Sequence, residues 1–111
     1  MIGWSFGIYR QINGGDSPAT FDSKTGVILA YWDTELRGLD WIETLVARGE
    51  ALCLGGNGYP VVFTAPIEHL RPVLCGELPC LKPHSRTKVN LEELDRCTPV
   101  EWALIRIFDL S

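Results

Sequence analysis

Residues 2–12 alternate between large apolar side chains and small or polar ones, and this period of two constrains the fold more than any other stretch. One side of the segment carries Ile2, Trp4, Phe6, Ile8 and Ile12, and the other carries Gly3, Ser5, Gly7, Tyr9 and Gln11. Side chains alternate between two faces in a strand and not in a helix. We therefore predict a strand over residues 2–12, whose small face admits another backbone or a helix at close range.

Three other segments predict strands. Residues 27–32 form a continuous apolar run, which is typical of a central strand covered on both faces. Residues 51–54 and 59–64 flank a Gly-Gly-Asn-Gly turn and predict a hairpin, and Pro60 favours an edge position for its second strand. Residues 100–110 fit either a strand or a helix, and their β-rich apolar run favours a strand.

The clearest helix signals lie in residues 40–48. Asp40 is placed to cap the first free amides, and Glu43 stands where a capping box requires a carboxylate. The helix ends at Arg48, because Gly49 supplies the backbone conformation with which helices stop.

Two shorter helices are predicted in the second half of the chain. Residues 65–70 have a proline in their first turn, and Pro72 ends this helix. Asn90 with Glu93 repeats the capping-box spacing and starts a helix of one or two turns.

These elements predict an α+β fold in one small domain, residues 1–111. We expect a mainly antiparallel sheet of about five strands with two to three short helices. A chain of 111 residues has no room for a catalytic domain beside a cofactor domain. We expect no cofactor and no enzymatic activity.

The net charge of −4 and the lack of a long Lys/Arg run make nucleic acid an unlikely partner. The N-terminus lacks the basic region of a signal peptide, and the apolar runs are too short to cross a membrane. We therefore expect a cytoplasmic protein without a membrane association. Its four cysteines are expected to be reduced thiols.

An acidic region with interleaved aromatic residues is the first candidate binding surface. Seven acidic and three basic residues lie between Asp16 and Glu50. Aromatic side chains supply contact area at protein interfaces, and carboxylates steer a basic partner. The predicted partner-binding residues are Trp32, Asp33, Glu35, Asp40, Trp41 and Glu43. The alternative is that both tryptophans belong to the core and the acids only solvate a loop.

A second candidate site is a zinc centre formed by Cys75, Cys80, His84 and Cys97. Such a zinc-stapled module would contact RNA or protein through Lys82, Arg86 and Lys88. The spacings of four, three and twelve intervening residues fit structural zinc sites poorly, because those sites pair their ligands closely. A thiol enzyme that uses Cys75 or Cys80 with His84 is a third alternative.

The run from Leu39 to Gly49, continued by Gly55-Gly56-Asn57-Gly58-Tyr59-Pro60, resembles small immunity proteins. These cytosolic proteins neutralise bacterial toxins in contact-dependent inhibition and interbacterial competition. The resemblance covers residues 26–75 and assigns no role to any single residue. It implies an inhibitor that occludes the active site of one cognate toxin. Basic nucleases are among the targets that this implies.

The leading hypothesis is therefore a non-enzymatic, immunity-like inhibitor that binds a protein partner, such as a basic toxin domain, through the acidic and aromatic surface. A homodimer is a further option, since an exposed edge strand at residues 2–12 or 59–64 could pair with a second copy.

Overall fold

The chain folds around one antiparallel sheet in a computed structural model that describes residues 3–12, 15–20, 22–55 and 61–109. In chain order the described elements are β1 Trp4–Gln11, β2 Thr25–Thr34, a 3-10 helix Leu36–Leu39, α1 Asp40–Ala47, β3 Leu52–Gly55, β4 Val61–Pro66, α2 Ile67–Cys75, β5 Lys88–Val89, α3 Leu91–Arg96 and β6 Trp102–Asp109. The predicted α+β class is confirmed. The described residues form six strands where about five were expected.

The strand order is β3-β4-β6-β1-β2-β5, and every neighbouring pair is antiparallel. The prediction of a strand near the C-terminus is confirmed, because β6 pairs with β4 and β1. The predicted edges are wrong, since β1 and β4 both have neighbours on each side. Strands β3 and β5 are the edges instead. Strand β2 has the neighbours β1 and β5, so the prediction of an interior strand there is confirmed. Residues 56–58 of the predicted hairpin turn and residues 59–60 of its second strand lie outside the described residues.

The main core lies between one face of the sheet and the three helices. Phe6 and Trp32 stack there with their ring centroids 4.9 Å apart. Ile42, Leu70 and Leu94, one from each helix, are fully buried in the same cluster. A smaller cluster on the other face joins Ala19, Val62 and Leu104. We call these the helix face and the open face of the sheet.

Helix α1 starts differently from the prediction. The residue before it, Leu39, already has helical backbone angles, and the Asp40 amide donates to the carbonyl of Arg37. The predicted cap by Asp40 and the capping box with Glu43 are wrong, because the 3-10 helix runs directly into α1 and satisfies that amide. The predicted stop is confirmed. Gly49 has a φ of +77°, and its amide donates to Val46.

Helix α2 continues through Pro72, which was predicted to end it. Burial of Ile67, Leu70 and Leu74 along one side stabilises this helix, and the burial outweighs the one backbone hydrogen bond that proline removes. In the predicted capping box of α3, the contact made by Asn90 is confirmed and the contact made by Glu93 is not. The Asn90 side chain accepts from the Glu93 amide at 3.1 Å, whereas the Glu93 carboxylate binds Arg10 instead of returning to Asn90.

Candidate functional site

The chain makes a sharp corner where β2 ends and α1 begins. The 3-10 helix forms one side of this corner, and residues 80–82 run beside the end of β2 on the other side. The Glu35 amide donates to the Cys80 carbonyl at 3.0 Å, and the Lys82 amide donates to the Asp33 carbonyl at 2.9 Å. These backbone hydrogen bonds join the two segments. We call residues 35–39 and 80–82 the corner.

Hydrogen bonds and close packing hold the corner against the sheet. The Trp4 indole N–H donates to the Leu36 carbonyl at 3.0 Å. The fully buried Thr34 hydroxyl lies 3.1 Å from the Glu35 carbonyl, and Gly38 packs directly against this threonine. The Gly38 amide in turn donates to the Glu35 carbonyl at 2.9 Å. Trp4 of β1 and Thr34 of β2 therefore attach the 3-10 helix to the sheet.

An open, mostly apolar pocket of about 360 Å³ lies in the corner. Its lining residues are Glu35, Leu36, Arg37, Cys80 and Lys82. Leu36 is 62% exposed. An exposed leucine that lines an apolar pocket, with charged side chains around it, forms the kind of patch that protein partners bind.

The structure separates the six residues predicted to bind a partner. Trp32 is fully buried in the core, so it offers no contact surface. Trp41 is half-buried against Phe6 and Trp32, and its indole nitrogen is inside the protein. Asp33 follows Trp32 in β2 and therefore points to the open face, away from α1. The prediction of one continuous surface that includes Trp32 and Asp33 is wrong.

Three of the predicted acids remain on the surface near the corner. Glu35 lines the pocket, Asp40 starts α1, and Glu43 follows Asp40 by three residues on the same helix side. All three are exposed. Leu36 was not among the predicted binding residues, although an apolar residue between Glu35 and Arg37 is a local signal in the sequence. Nothing local indicates that residues 80–82 lie beside it, because that contact is long-range.

The alternative zinc ligands are not brought together. Cys75, Cys80, His84 and Cys97 all lie in the described part of the chain, and within that part no three His, Cys, Asp or Glu residues form a group that could hold a metal ion. Cys75 ends α2, whereas Cys97 follows α3 and is buried. The Cys80 and His84 backbones have positive φ angles in the loop between α2 and β5.

A polar cluster joins α3 to the middle of the sheet. Arg10 donates to both carboxylate oxygens of Glu101 at 3.1 Å and to Glu93 at 2.8 Å. These hydrogen bonds, first to Glu101 and then to Glu93, raise the pKa of Arg10 above its ordinary value. Cys97 lies against this cluster and donates to the Glu93 carbonyl. The cluster is a structural link, because Arg10 already has carboxylate partners on two sides.

Cys97 is expected to resist alkylation. Burial, followed by a hydrogen bond with Glu101, raises the pKa of its thiol from 9 to about 12. A thiol pKa of about 12 in place of 9 lowers the thiolate fraction at pH 8 by roughly 1,000-fold. The exposed thiols of Cys53, Cys75 and Cys80 serve as internal controls. Iodoacetamide at pH 8 should add three groups to the folded protein and four in guanidinium, as intact mass will report. Four equally fast additions to the folded protein would contradict this.

Comparison with protein-family models, curated proteins and solved structures finds no significant match for this chain. In the described part of the chain, no helix combines the length and the apolar character that crossing a bilayer requires.

Proposed function

We propose that the protein is a non-enzymatic binding protein of the immunity or antitoxin type, which uses the corner to occlude a basic toxin domain. The exposure of Leu36 on a fixed turn beside an apolar pocket carries this proposal. An apolar side chain at the centre of an interface gains most when a partner removes it from water. Leu36 is the contact residue in this account, and the pocket receives an apolar group from the partner.

The rigidity of the corner supports a tight complex. A turn held by the Trp4 indole, by the buried Thr34 and by backbone bonds to residues 80–82 is ordered before the partner arrives. Such preorganisation removes the entropic cost of ordering a loop on binding. An inhibitor that must block an active site at a low concentration needs this property.

The charges around the corner favour a basic partner. Glu35, Asp40 and Glu43 are exposed, and Arg37 and Lys82 lie among them. The carboxylates speed encounter with a basic surface, and the two cations fix the orientation of the complex. Of the acids predicted from the sequence, Glu35, Asp40 and Glu43 belong to this proposed surface, and Leu36 replaces Trp32 as its apolar contact.

Leu36→Asp should abolish partner binding without unfolding the protein. The side chain is 62% exposed, so we expect its replacement to change the free energy of unfolding by less than about 0.5 kcal/mol. A charge at the centre of an apolar interface should weaken the complex by roughly 100-fold or more. Affinity capture from the native cell extract, followed by native mass spectrometry, measures the loss of the stoichiometric complex.

Leu91→Asp is the matched control. Leu91 is 52% exposed, and it starts α3. Leu91 lies away from the corner. The amide of the preceding residue, Asn90, donates to the Leu29 carbonyl in the middle of β2, whereas the corner follows Thr34 at the end of that strand. The control should retain the partner. The captured protein should also arrest growth when it is expressed alone, and the wild type but not Leu36→Asp should restore growth. Equal capture by both variants, or a captured protein without toxicity, would overturn the proposal.

A further inference from the structure

The open face of the sheet carries a row of aromatic and cationic side chains. Gly7 in β1 pairs with Tyr31 in β2 and with Arg106 in β6, and Tyr31 pairs with Lys88 in β5. Paired residues point to the same side of a sheet. At about 4.8 Å per strand, the backbone positions of Arg106 and Lys88 are roughly 14 Å apart, with Gly7 and Tyr31 between them.

The Tyr9 ring fills the space above Gly7. A Cβ atom on this glycine would lie 2.8 Å from the Tyr9 hydroxyl oxygen and 3.0 Å from the ring carbon Cε1. Because Gly7 has no side chain, the Tyr9 ring can lie over the backbone at this position. The Arg106 guanidinium carbon stands 5.3 Å from the centre of this ring, which is a cation–π contact. Across the sheet, the row therefore consists of Arg106, the rings of Tyr9 and Tyr31, and Lys88.

This part of the open face is accessible. Ala19 of the segment 15–20 covers Val62 and Leu104 at the β4–β6 side of the face. Phe108, two residues beyond Arg106 on the same side of β6, is 44% exposed. Tyr9, Tyr31 and Arg106 are half-buried and Lys88 is exposed, as expected for a sheet surface that meets solvent.

The row on the open face carries two cations, whereas charges of both signs are mixed on the helix side. There α1 carries Asp40 and Glu43 and is followed by Arg48, and α3 carries Glu92, Glu93, Asp95 and Arg96. The row on the open face contains Arg106 and Lys88, and exposed Arg86 precedes it in the chain. Asp33, two residues beyond Tyr31 in β2, pairs with Ser5 and lies beside the row. The acidic net charge of the chain therefore does not describe this surface.

We propose that Tyr9, Tyr31, Lys88 and Arg106 form a binding site for single-stranded nucleic acid. A base stacks on the Tyr31 ring, the Tyr9 ring holds the Arg106 guanidinium in place, and Arg106 and Lys88 contact the phosphates on either side. A single strand fits because its bases are free to stack, whereas the bases of a duplex are already stacked on each other. The site contains no residue of the corner, so it is independent of the proposed inhibitor function. It departs from the sequence-based expectation, which rested on total charge.

Fluorescence anisotropy with labelled oligouridylate and oligothymidylate at low salt tests the proposal. Tyr31→Leu keeps an apolar side chain of moderate size but removes the ring, and we expect it to weaken binding by roughly 5- to 100-fold. Tyr31→Phe keeps the ring and should bind like the wild type. Arg106→Gln should weaken binding and reduce its dependence on salt concentration. Both Tyr31 variants must show an unchanged circular dichroism spectrum.

Two controls separate this site from general attraction and from the corner. Arg96→Gln removes an exposed cation on the helix side and should leave affinity unchanged. Leu36→Asp should also leave it unchanged, so failure of this proposal and failure of the inhibitor function are distinguishable. No binding of either oligonucleotide at low salt would overturn the proposal. The proposal would also be overturned if Tyr31→Leu and Arg96→Gln weakened binding equally, or if a duplex bound as tightly as a single strand. Capture of a protein partner that depends on Tyr31 would overturn it as well.

Discussion

Arg10→Met is expected to lower the free energy of unfolding by about 3–5 kcal/mol, which for a domain of this size lowers the melting temperature by more than about 10 °C. Arg10 binds Glu101 through two nitrogens and Glu93 through a third. The side chains of these carboxylates are only 7% and 13% exposed. Without the guanidinium, two poorly hydrated negative charges face each other between β6 and α3. Urea unfolding monitored by tryptophan fluorescence measures the loss.

Arg96→Met is the control for this prediction, because Arg96 pairs with the same Glu93 at 3.1 Å. The Arg96 side chain is 63% exposed, so water replaces the lost partner, and the expected cost is at most about 1 kcal/mol. If the two variants lose the same stability, the cluster around Arg10 is not the link between α3 and the sheet that the geometry indicates.

Gly38→Ala is expected to destabilise the protein by about 3 kcal/mol or more and to displace the corner. A Cβ atom at position 38 would overlap the hydroxyl oxygen and the Cβ of Thr34. Thr34 cannot move aside, because it is fully buried and its hydroxyl contacts the carbonyls of Trp4 and Glu35. The 3-10 helix must shift instead. Thermal unfolding measures the cost, and amide NMR shifts confined to the corner would locate the displacement.

Gly26→Ala provides the comparison for Gly38→Ala. A Cβ atom at Gly26 would meet its nearest neighbours at 3.6 Å, which is ordinary van der Waals contact. We expect this variant to unfold within about 0.5 kcal/mol of the wild type. Equal stability of the two alanine variants would show that Gly38 is not wedged against Thr34, and the account of a rigid corner would fail with it.

Local signals predicted much of the fold. The alternation in residues 2–12 identified β1, Gly49 identified the end of α1, and Asn90 identified the start of α3. These features depend on neighbours within a few residues, which the sequence displays directly. The helix end predicted at Pro72 was wrong, because the burial that stabilises α2 against the sheet is a tertiary effect. Strand order, and with it the identity of the edges, depends on pairings between distant residues such as Gly7 and Arg106.

The candidate site was only partly predictable. The alternation of side chains in β2 already separates Trp32 from Asp33, so the two residues could not have shared one surface. The small face of β1 was expected to admit another backbone or a helix at close range. The backbone of Thr34 does approach Gly3 closely, whereas the Tyr9 ring lies over Gly7. The contact between residues 35 and 80 joins segments 45 residues apart in the sequence. No local pattern encodes it, so the pocket emerges only from the folded chain.

The most direct test of the corner as the binding surface is photo-crosslinking in the native cell. A photoreactive phenylalanine analogue at position 36 should give one crosslinked protein of defined mass, and the same analogue at position 91 should give none. Both positions are exposed, so the comparison measures location rather than accessibility. A product at position 36 alone, containing a basic protein, is the predicted result. The same product at both positions, or no product at position 36, would contradict the account.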